Sequence, residues 1–429
     1  MIRVEPAAAL VGDIAVPAVK GICQRGALLA AIAEGESELR SFGHAADTDA
    51  ALEAVRALGA EVAEPDETTV RITGRGLRGL VAPPEPIDCG NAGTVLRLLS
   101  GIVAGQNGRF HLIGDESLSR RPVRTDEPLG QMGAKVETTD GHPPVTIEGA
   151  GSALSPIRYE LPVASAQLKS AVLLAGLLAQ GGPTTVVEPV PSRDHTERLL
   201  RSVGLRIRRT AQETRVWPAE KIPPLSLDIP GDFSSAAPFV VAATLLSGSN
   251  LRIHDVDINP TRTGLLDVLE RMGARIAVFN RHSMNGEPVA DLEVRDAPLL
   301  ASSIEPDEVP RLVDELPLFA LAASHARGES VVKGAQELRV KETDRIETVT
   351  NALRPLGIRI SATDDGFRVR GVPARPRGGP LHSRGDHRIA MLGAVAGLTS
   401  IEGVEIEDAE AVAVSFPGFF ELLDSVTQR

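Results

Sequence analysis

The sequence of 429 residues is poor in aromatic residues and in positive charge, and each shortage excludes a class of protein. Phe, Trp and Tyr make up 3% of the chain, so the core must be built from Ala, Leu, Val and Ile. The 45 Lys and Arg residues are outnumbered by 57 Asp and Glu residues, which gives a net charge of 45 − 57 = −12. Because neither a basic stripe nor a set of stacking aromatic residues is present, we expect no nucleic-acid partner.

Cysteine and long apolar runs are also scarce. Cys23 and Cys89 show no metal-binding spacing, and such sparse cysteine indicates either a reducing compartment or a protein that is indifferent to redox conditions. The longest uncharged apolar stretches are about half as long as a bilayer span requires. The first residues lack the basic segment and apolar run of a secretion signal. We therefore expect a soluble, cytoplasmic protein with no membrane partner and no metal.

What the sequence does contain is a unit that occurs six times. An uncharged segment rich in Ala and Leu is followed each time by an amphipathic segment. The uncharged segments begin at residues 26, 92, 170, 236, 316 and 388, and the amphipathic segments at 51, 126, 195, 264, 347 and 418. The uncharged segments predict helices that are buried on all sides, and the amphipathic segments predict helices with one solvated face. Such a period indicates one supersecondary unit used repeatedly.

Short β-branched runs follow both kinds of segment, so the sequence predicts an α/β fold. A chain of this length normally exceeds one core. We therefore expect two lobes of three repeats each, with the buried helices inside and the sheets outside. The Pro- and Gly-containing segment 225–232 lies between the third and fourth buried helices and is the predicted linker.

Polar and cationic residues gather where the buried helices are expected to begin, and we call these positions the helix entrances. Lys20, Arg25, Arg97, Lys169 and Arg388 occur there, together with Ser, Asn, Asp and Gly. Helix capping explains any single entrance, but helix N-termini also bind phosphate and carboxylate groups. If the three buried helices of a lobe are parallel, their entrances converge. This predicts a substrate with several negative charges.

Two further clusters are rich in cations: residues 120–124 (RRPVR) and residues 339–345 (RVKETDR). The second cluster could be a solvated helix face with paired charges at i,i+4. However, Lys341 and Arg345 would repel each other at that spacing, which weakens this interpretation.

The motifs at these positions resemble those of the 5-enolpyruvylshikimate-3-phosphate (EPSP) synthase family. They are K-x-x-x-x-R at 20–25, N-A-G-T-x-x-R at 91–97, R-P at 121–122, S-A-Q-x-K-S-A at 165–171, S-R-D-H-T-E at 192–197, R-V-K-E-T-D-R at 339–345 and D-H-R-I-A-M at 386–391. They cover nearly the whole chain in the family's order, and the last two together are highly specific. The S-A-Q motif and A-V-S-F-P-G-F at 413–419 resemble the second class of the family.

The resemblance implies a two-lobed inside-out α/β barrel. The first lobe would be formed by 18–230 and the second by 1–17 and 231–429, with hinges near 17–20 and 228–232. The implied reaction transfers the carboxyvinyl (enolpyruvyl) group of phosphoenolpyruvate to the 5-hydroxyl of 3-phosphoshikimate and releases phosphate, in chorismate biosynthesis. The lobes are expected to close around the two substrates. We expect a monomer that needs no cofactor.

The resemblance also implies roles for individual residues. Those expected to bind 3-phosphoshikimate are Lys20, Gly21, Arg25, Ser165, Gln167, Arg193, Asp314 and Lys341. Those expected to bind phosphoenolpyruvate are Lys20, Gly93, Arg121, Gln167, Arg345 and Arg388. The reaction adds a proton to the methylene carbon and removes one from the hydroxyl, and a carboxyl pair can do both. Asp314 is expected to be the base and Glu342 the acid, with Lys20 as a third catalytic residue.

Two residues bear on the alternatives to this function. Gly21 stands where the family has serine, and the missing hydroxyl contact to the substrate phosphate is worth about 1–3 kcal/mol. A diverged enolpyruvyl transferase with another phosphorylated hydroxy acceptor, or a non-catalytic binding paralogue, therefore remains as an alternative. Glu116 stands where UDP-N-acetylglucosamine carboxyvinyltransferase has its cysteine, which argues against that enzyme.

Gly93 leaves space beside the phosphoenolpyruvate site and predicts inhibition by glyphosate.

Overall fold

The computed structural model describes residues 1–429, which divide into two compact units. The first lobe is formed by Ala18–Ile229 and Ser283–Glu287. The second lobe is formed by Met1–Pro17, Pro230–His282 and Pro288–Arg429. The short segment Ser283–Glu287 belongs to the first lobe although the residues on either side of it belong to the second, and no pattern in the sequence predicts this.

All twelve helices predicted by the repeat are present, and one short helix, α4, lies outside it. The helices are α1 (Lys20–Ala31), α2 (Ala46–Ala57), α3 (Gly93–Ala104), α4 (Glu116–Ser119), α5 (Asp126–Gln131), α6 (Ala166–Leu178), α7 (His195–Ser202), α8 (Phe233–Leu245), α9 (Gly264–Met272), α10 (Leu316–His325), α11 (Arg345–Leu353), α12 (His387–Thr399) and α13 (Phe419–Ser425). The polar residues of the helix entrances overlap the first turns of the buried helices α1, α3, α6, α8 and α12. The cations of the helix entrances therefore lie in the first two turns and not ahead of the helices.

The strands are short and alternate with the helices. They are β1 (Ile2–Val4), β2 (Ala9–Ala15), β3 (Glu34–Arg40), β4 (Glu61–Ala63), β5 (Val70–Arg75), β6 (Ile87–Asp88), β7 (Asn107–Ile113), β8 (Lys135–Thr139), β9 (His142–Ala150), β10 (Arg158–Glu160), β11 (Thr184–Val187), β12 (Ile207–Arg209), β13 (Glu213–Val216), β14 (Ser226–Asp228), β15 (Asn250–Asp257), β16 (Arg275–Met284), β17 (Glu287–Arg295), β18 (Gly328–Val332), β19 (Arg359–Thr363), β20 (Gly366–Gly371), β21 (Gly379–His382), β22 (Val404–Glu407) and β23 (Thr427–Gln428).

The three sheets of the first lobe repeat one topology. Their strand orders are β14-β3-β5-β4, β6-β7-β9-β8 and β10-β11-β13-β12. In each sheet the first pair is parallel and the other two pairs are antiparallel. The second lobe has the orders β1-β22-β21, β16-β17-β15-β2-β23 and β18-β20-β19. The α/β class predicted from the sequence is confirmed, whereas the inside-out barrel stays a prediction, because each strand order is that of an open sheet.

Each lobe has its own hydrophobic core. In the second lobe α8, α10 and α12 pack against one another, and Phe239 lies 5.7 Å from Phe419 between ring centroids. In the first lobe α3 packs closely against α6. A Cβ atom added to Gly101 of α3 would lie 2.1 Å from the carbonyl oxygen of Ala171 in α6. The approach of these two helices therefore requires a glycine at this position.

We expect Gly101→Ala to lower the free energy of unfolding of the first lobe by about 1–3 kcal/mol, because the methyl group overlaps a backbone atom that cannot rotate away. Urea denaturation followed by circular dichroism measures the change. Gly130→Ala is the matched control, since it is also in a helix of this lobe and has no atom within 4 Å of the added Cβ. Equal midpoints for the two variants would show that the helices can separate at little cost.

Candidate active site

The helix entrances of the first lobe are linked by hydrogen bonds. Gln167 of α6 accepts a hydrogen bond from Arg97 Nη1 at 2.6 Å and donates one to Thr94 Oγ1 of α3 at 2.9 Å. Arg25 of α1 donates to Ser170 Oγ of α6 at 3.2 Å. The N-terminal turns of α1, α3 and α6 therefore converge within this lobe, as their polar residues predicted.

Arg25 is buried at this point and held on three sides. Its Nε atom donates to Thr196 Oγ1 at 2.8 Å and its Nη1 atom to the carbonyl oxygen of Gly21 at 2.8 Å. A Cβ atom on Gly21 would lie 3.2 Å from the same Nη1 atom. The glycine that departs from the family pattern thus leaves room for the guanidinium group. Lys20, at the first position of α1, pairs with Asp47, with 2.5 Å between Nζ and Oδ2.

The start of α3 is surrounded by guanidinium groups. Arg121 donates through Nη2 to the backbone and side-chain oxygens of Asn91, at 2.6 and 2.8 Å. Arg97 is buried and donates to the carbonyl oxygens of Gly93 and Val123, each at 3.1 Å. A Cβ atom on Gly93 would lie 2.7 Å from Arg97 Nη1 and 3.5 Å from Arg121 Nη1. The absence of a side chain at Gly93 is therefore what keeps this surface open beside two cations.

The start of α6 is capped by Ser165, whose hydroxyl accepts the backbone N–H of Leu168 at 3.3 Å. In contrast, α1 and α3 have no side-chain cap. Arg193, half-buried, lies in the segment that joins β11 to α7. The first lobe therefore places Lys20, Arg25 and Gln167 in the first two turns of α1 and α6. Ser165 caps α6, and Arg193 lies in the segment before α7.

In the second lobe, three arginines surround the carboxylate of Asp314. The Nη1 atoms of Arg262 and Arg345 each lie 3.4 Å from its oxygens, and Arg388 Nη2 lies at 3.5 Å. Asp314 is 9% exposed. The structure thus places Arg345 and Arg388 beside Asp314, the predicted base. Lys341 is half-buried and lies directly before Glu342.

Arg345 is the centre of this cluster and is 1% exposed. Its Nη2 atom lies 2.5 Å from Glu342 Oε2, and its Nε atom lies 2.8 Å from Asp386 Oδ2. Burial alone would lower the pKa of Arg345, but the negative charges of Asp386 and Glu342 outweigh it and raise the pKa. Burial would likewise raise the pKa of Asp386, but the Arg345 guanidinium holds that pKa below its usual range. Both groups are therefore charged at neutral pH.

The cluster has the chemistry of an anion-binding site. Asp314, Glu342 and Asp386 are directed at a guanidinium group, so their charges are matched within the protein. Arg388, at the second position of α12, has a side chain that is 13% exposed. Guanidinium groups form paired hydrogen bonds with phosphate and carboxylate groups. The arrangement therefore favours an anionic ligand over a metal cation.

Arg262 is a residue of this cluster that the sequence analysis did not single out. It is buried and also donates to Asp232 Oδ1 at 3.1 Å and to Ser234 Oγ at 2.5 Å. Asp232 in turn caps α8 by accepting the N–H of Ser234. A signal was present in the sequence, because Arg262 lies in a polar Asn-Pro-Thr-Arg-Thr segment just before α9. That segment resembles the other cationic helix entrances, but it precedes an amphipathic helix and not a buried one.

Comparison with solved structures places this fold among the enolpyruvyl transferases. The enolpyruvyl transferase NikO from Streptomyces tendae superposes with a TM-score of 0.77 over 99% of this chain and 96% of its own, at 19% identity, so it shares the fold. An EPSP synthase from Acinetobacter baumannii superposes with a TM-score of 0.88 at 40% identity, covering 99% of this chain and 97% of its own.

Sequence comparison gives the family. The family model of EPSP synthase (3-phosphoshikimate 1-carboxyvinyltransferase) matches residues 4–423. The 3-phosphoshikimate 1-carboxyvinyltransferase of Lactiplantibacillus plantarum is 48% identical over 432 residues, which cover 100% of this chain and 99% of the relative. That of Salinibacter ruber is 46% identical over 428 residues, with 99% of both chains covered. The chain belongs to the EPSP synthase family, and the resemblance seen in its motifs is confirmed. No helix in residues 1–429 has both the length and the hydropathy of a membrane span.

We expect Asp386→Asn to lower the free energy of unfolding by about 3–5 kcal/mol near pH 7, because it removes one negative charge from the carboxylates that balance the buried Arg345. The pKa of Asp386 is lowered by folding, so its contribution is complete above the unfolded pKa of about 3.9 and is lost as the pH falls through the folded value. The difference between wild type and variant should therefore shrink below about pH 4. Denaturant unfolding between pH 3 and pH 7 measures it.

Asp424→Asn is the control for this experiment, since Asp424 is an exposed aspartate of the same lobe. Its effect should be small at every pH. If the Asp386→Asn difference were constant from pH 7 to pH 3, the carboxylate would not be stabilised in its ionised form by Arg345.

Proposed function

We propose that this chain transfers the carboxyvinyl group of phosphoenolpyruvate to the 5-hydroxyl of 3-phosphoshikimate, with release of phosphate, in aromatic amino acid biosynthesis. The observation that carries the proposal is the meeting of Asp314, Glu342, Arg345 and Arg388 in one cluster of the second lobe. Two carboxylates for proton transfer and two arginines for an anionic donor are what this reaction requires. A phosphate-release assay with each substrate omitted in turn tests the proposal directly.

We assign the two substrates to two overlapping sets of residues. Lys20, Arg25 and Arg193 of the first lobe hold the phosphate of 3-phosphoshikimate, and Ser165 and Gln167 bind its other polar groups. Gly21 contributes its backbone N–H. Asp314 and Lys341 are the other two proposed ligands of this substrate. Phosphoenolpyruvate is bound by Lys20, Gly93, Arg121, Gln167, Arg345 and Arg388.

Three proton transfers follow from this arrangement. Asp314 takes the proton of the 5-hydroxyl as the hydroxyl oxygen bonds to C2 of phosphoenolpyruvate, while the protonated form of Glu342 gives its proton to the methylene carbon. The resulting tetrahedral intermediate loses phosphate when the bond between C2 and the phosphate oxygen breaks and the methyl group returns a proton to Glu342. Opposite charges favour the ionised form of a carboxylate, and three guanidinium groups surround Asp314. The cations of the site also stabilise the charge that develops on the donor, which is usually the largest catalytic effect.

Some predictions rest on the sequence and stay proposals. We propose that the protein acts as a cytoplasmic monomer without a cofactor, and that segments near 17–20 and 228–232 act as hinges. The acidic charge supports the absence of a nucleic-acid partner. Size-exclusion chromatography with light scattering tests the monomer.

Replacing Asp314 with Asn or Glu342 with Gln should each lower turnover by at least ~10²-fold, which is the usual contribution of an acid–base group. Steady-state phosphate release measures it, and circular dichroism shows whether each variant is folded. Glu116→Gln is the control, because Glu116 is exposed and pairs only with the exposed Arg120 in α4. Near-normal turnover in both carboxylate variants would refute the assignment.

Gly93→Ala should weaken inhibition by glyphosate, which resembles phosphoenolpyruvate in charge and should compete with it. The added methyl group meets Arg97 and Arg121, and steric overlap in a packed site costs about 1–3 kcal/mol. We expect the inhibition constant to rise more than the KM for phosphoenolpyruvate. Equal changes in both constants, or inhibition that is not competitive with phosphoenolpyruvate, would contradict this description of the donor site. Gly130→Ala serves again as the control.

A further inference from the structure

The first lobe contains a buried ionic cluster to which the proposed reaction assigns no role. Lys169 of α6 is 0% exposed, and its Nζ atom lies 3.0 Å from Glu188 Oε2 and 2.8 Å from Glu197 Oε1. Its third contact is the carbonyl oxygen of Ser192, at 3.4 Å. The ammonium group donates hydrogen bonds to Glu188 and Ser192, and its contact with Glu197 is an ion pair. Glu188 and Glu197 are also buried, at 4% and 1% exposed.

A cluster of this kind is not explained by stability alone. Removing charged groups from water costs several kcal/mol per ion, and apolar residues of similar size often serve stability as well or better. Here one lysine is buried beside two carboxylates, with Arg209 Nε at 4.0 Å from Glu197. What an ionic cluster adds over an apolar one is a fixed geometry, so the segments it joins indicate what it does.

The cluster joins α6 to the segment 188–197 and fixes both sides of Arg193. Ser192, the residue before it, donates its backbone N–H to Glu188 Oε1 at 3.1 Å and also donates its hydroxyl to that atom. The carbonyl oxygen of Ser192 is held by Lys169. Asp194, the residue after it, accepts from Arg198 at 2.8 Å and from Arg209 at 2.6 Å. The backbone from which Arg193 projects is therefore anchored at each neighbouring residue.

The next residue of α6 makes a second link to the same segment. Ser170 Oγ lies 2.7 Å from Thr196 Oγ1, and Thr196 accepts a hydrogen bond from Arg25. Lys169 and Ser170 thus connect the helix that carries Ser165 and Gln167 with the segment that carries Arg193. Three of the residues proposed to bind 3-phosphoshikimate, Ser165, Gln167 and Arg193, lie on the two elements that Lys169 and Ser170 connect.

We propose that Lys169 is a positioning residue for 3-phosphoshikimate: through Glu188, Glu197 and Ser192 it fixes the segment from which Arg193 reaches the substrate phosphate. This inference rests on the proposed function. Lys169 itself touches no substrate, because it is fully buried behind the segment. Small displacements of a binding group weaken its contact strongly, so the role appears in the binding of one substrate and not in the chemistry.

A double-mutant cycle tests the proposal with the full-length protein. Lys169→Met should raise the KM for 3-phosphoshikimate about tenfold, while the KM for phosphoenolpyruvate and kcat change less than about threefold. In an Arg193→Ala background the same substitution should have little further effect, because residues that act through one contact are not additive. Equal effects of Lys169→Met in both backgrounds, or a rise in both KM values, would overturn the proposal. Lys135→Met, at an exposed lysine of β8 in this lobe, is the control.

A second variant is needed because Lys169→Met leaves two buried carboxylates without their cation and could unfold the protein. The triple variant K169M/E188Q/E197Q keeps the side-chain sizes and removes all three charges. If the cluster acts in positioning, this variant folds but still shows the raised KM for 3-phosphoshikimate alone. A normal KM for 3-phosphoshikimate in the triple variant would show that the ionic cluster is not needed to position Arg193, and the proposal would be wrong.

The proposed function and this inference fail in different ways. Absence of turnover by the wild-type protein with both substrates would reject the proposed function. Normal wild-type turnover and a raised KM in Arg193→Ala, together with unchanged constants in the Lys169 variants, would reject the positioning role alone.

Discussion

The second lobe depends on the burial of one guanidinium group among three carboxylates. Arg345 contacts Asp314, Glu342 and Asp386, which come from the segment before α10, the segment before α11 and the N-cap of α12. Without the arginine, three negative charges would repel one another in a region of low dielectric constant, and without the carboxylates the arginine could not be buried. Asp386 also accepts the N–H of Arg388, so the same balance of charge orients the helix that carries a second proposed ligand of phosphoenolpyruvate.

The helices could be predicted from the sequence because their patterns are local. The uncharged segments near 92 and 388 became α3 and α12, and the amphipathic segment at 264 became α9 with no shift in its start. The strands could be located only roughly, and their order not at all. Most have three to seven residues. Several have partners that are distant in sequence, as when Val11 pairs with Asn250 in the parallel ladder of β2 and β15. Hydrophobic period specifies the face of a strand but not its neighbour.

The same difference between local patterns and distant partners separates the residues of the site that could be predicted from those that could not. Asp314, Glu342, Arg345 and Arg388 could be predicted together because they lie in motifs with fixed spacing. Arg262 and the role of Lys169 could not be predicted, because charged residues are rarely buried and no local sequence pattern indicates which of them will be buried. The pairing of Lys20 with Asp47 belongs to the same class. In each case the partner is supplied by another element of the fold, so only tertiary packing reveals it.

The interruption of the second lobe by the first has a consequence for synthesis. Ala18–Ile229 is one continuous stretch with its own core, so nearly all of the first lobe is available as soon as that stretch leaves the ribosome. The amino-terminal strands β1 and β2 have no such partners nearby, because Ile2 pairs with Ile406 and Val11 with Asn250. They must remain unpaired until most of the chain has been made. Strands β1 and β2 are thus translated before the first lobe but join their sheets only after it, and their edges stay unpaired during that interval.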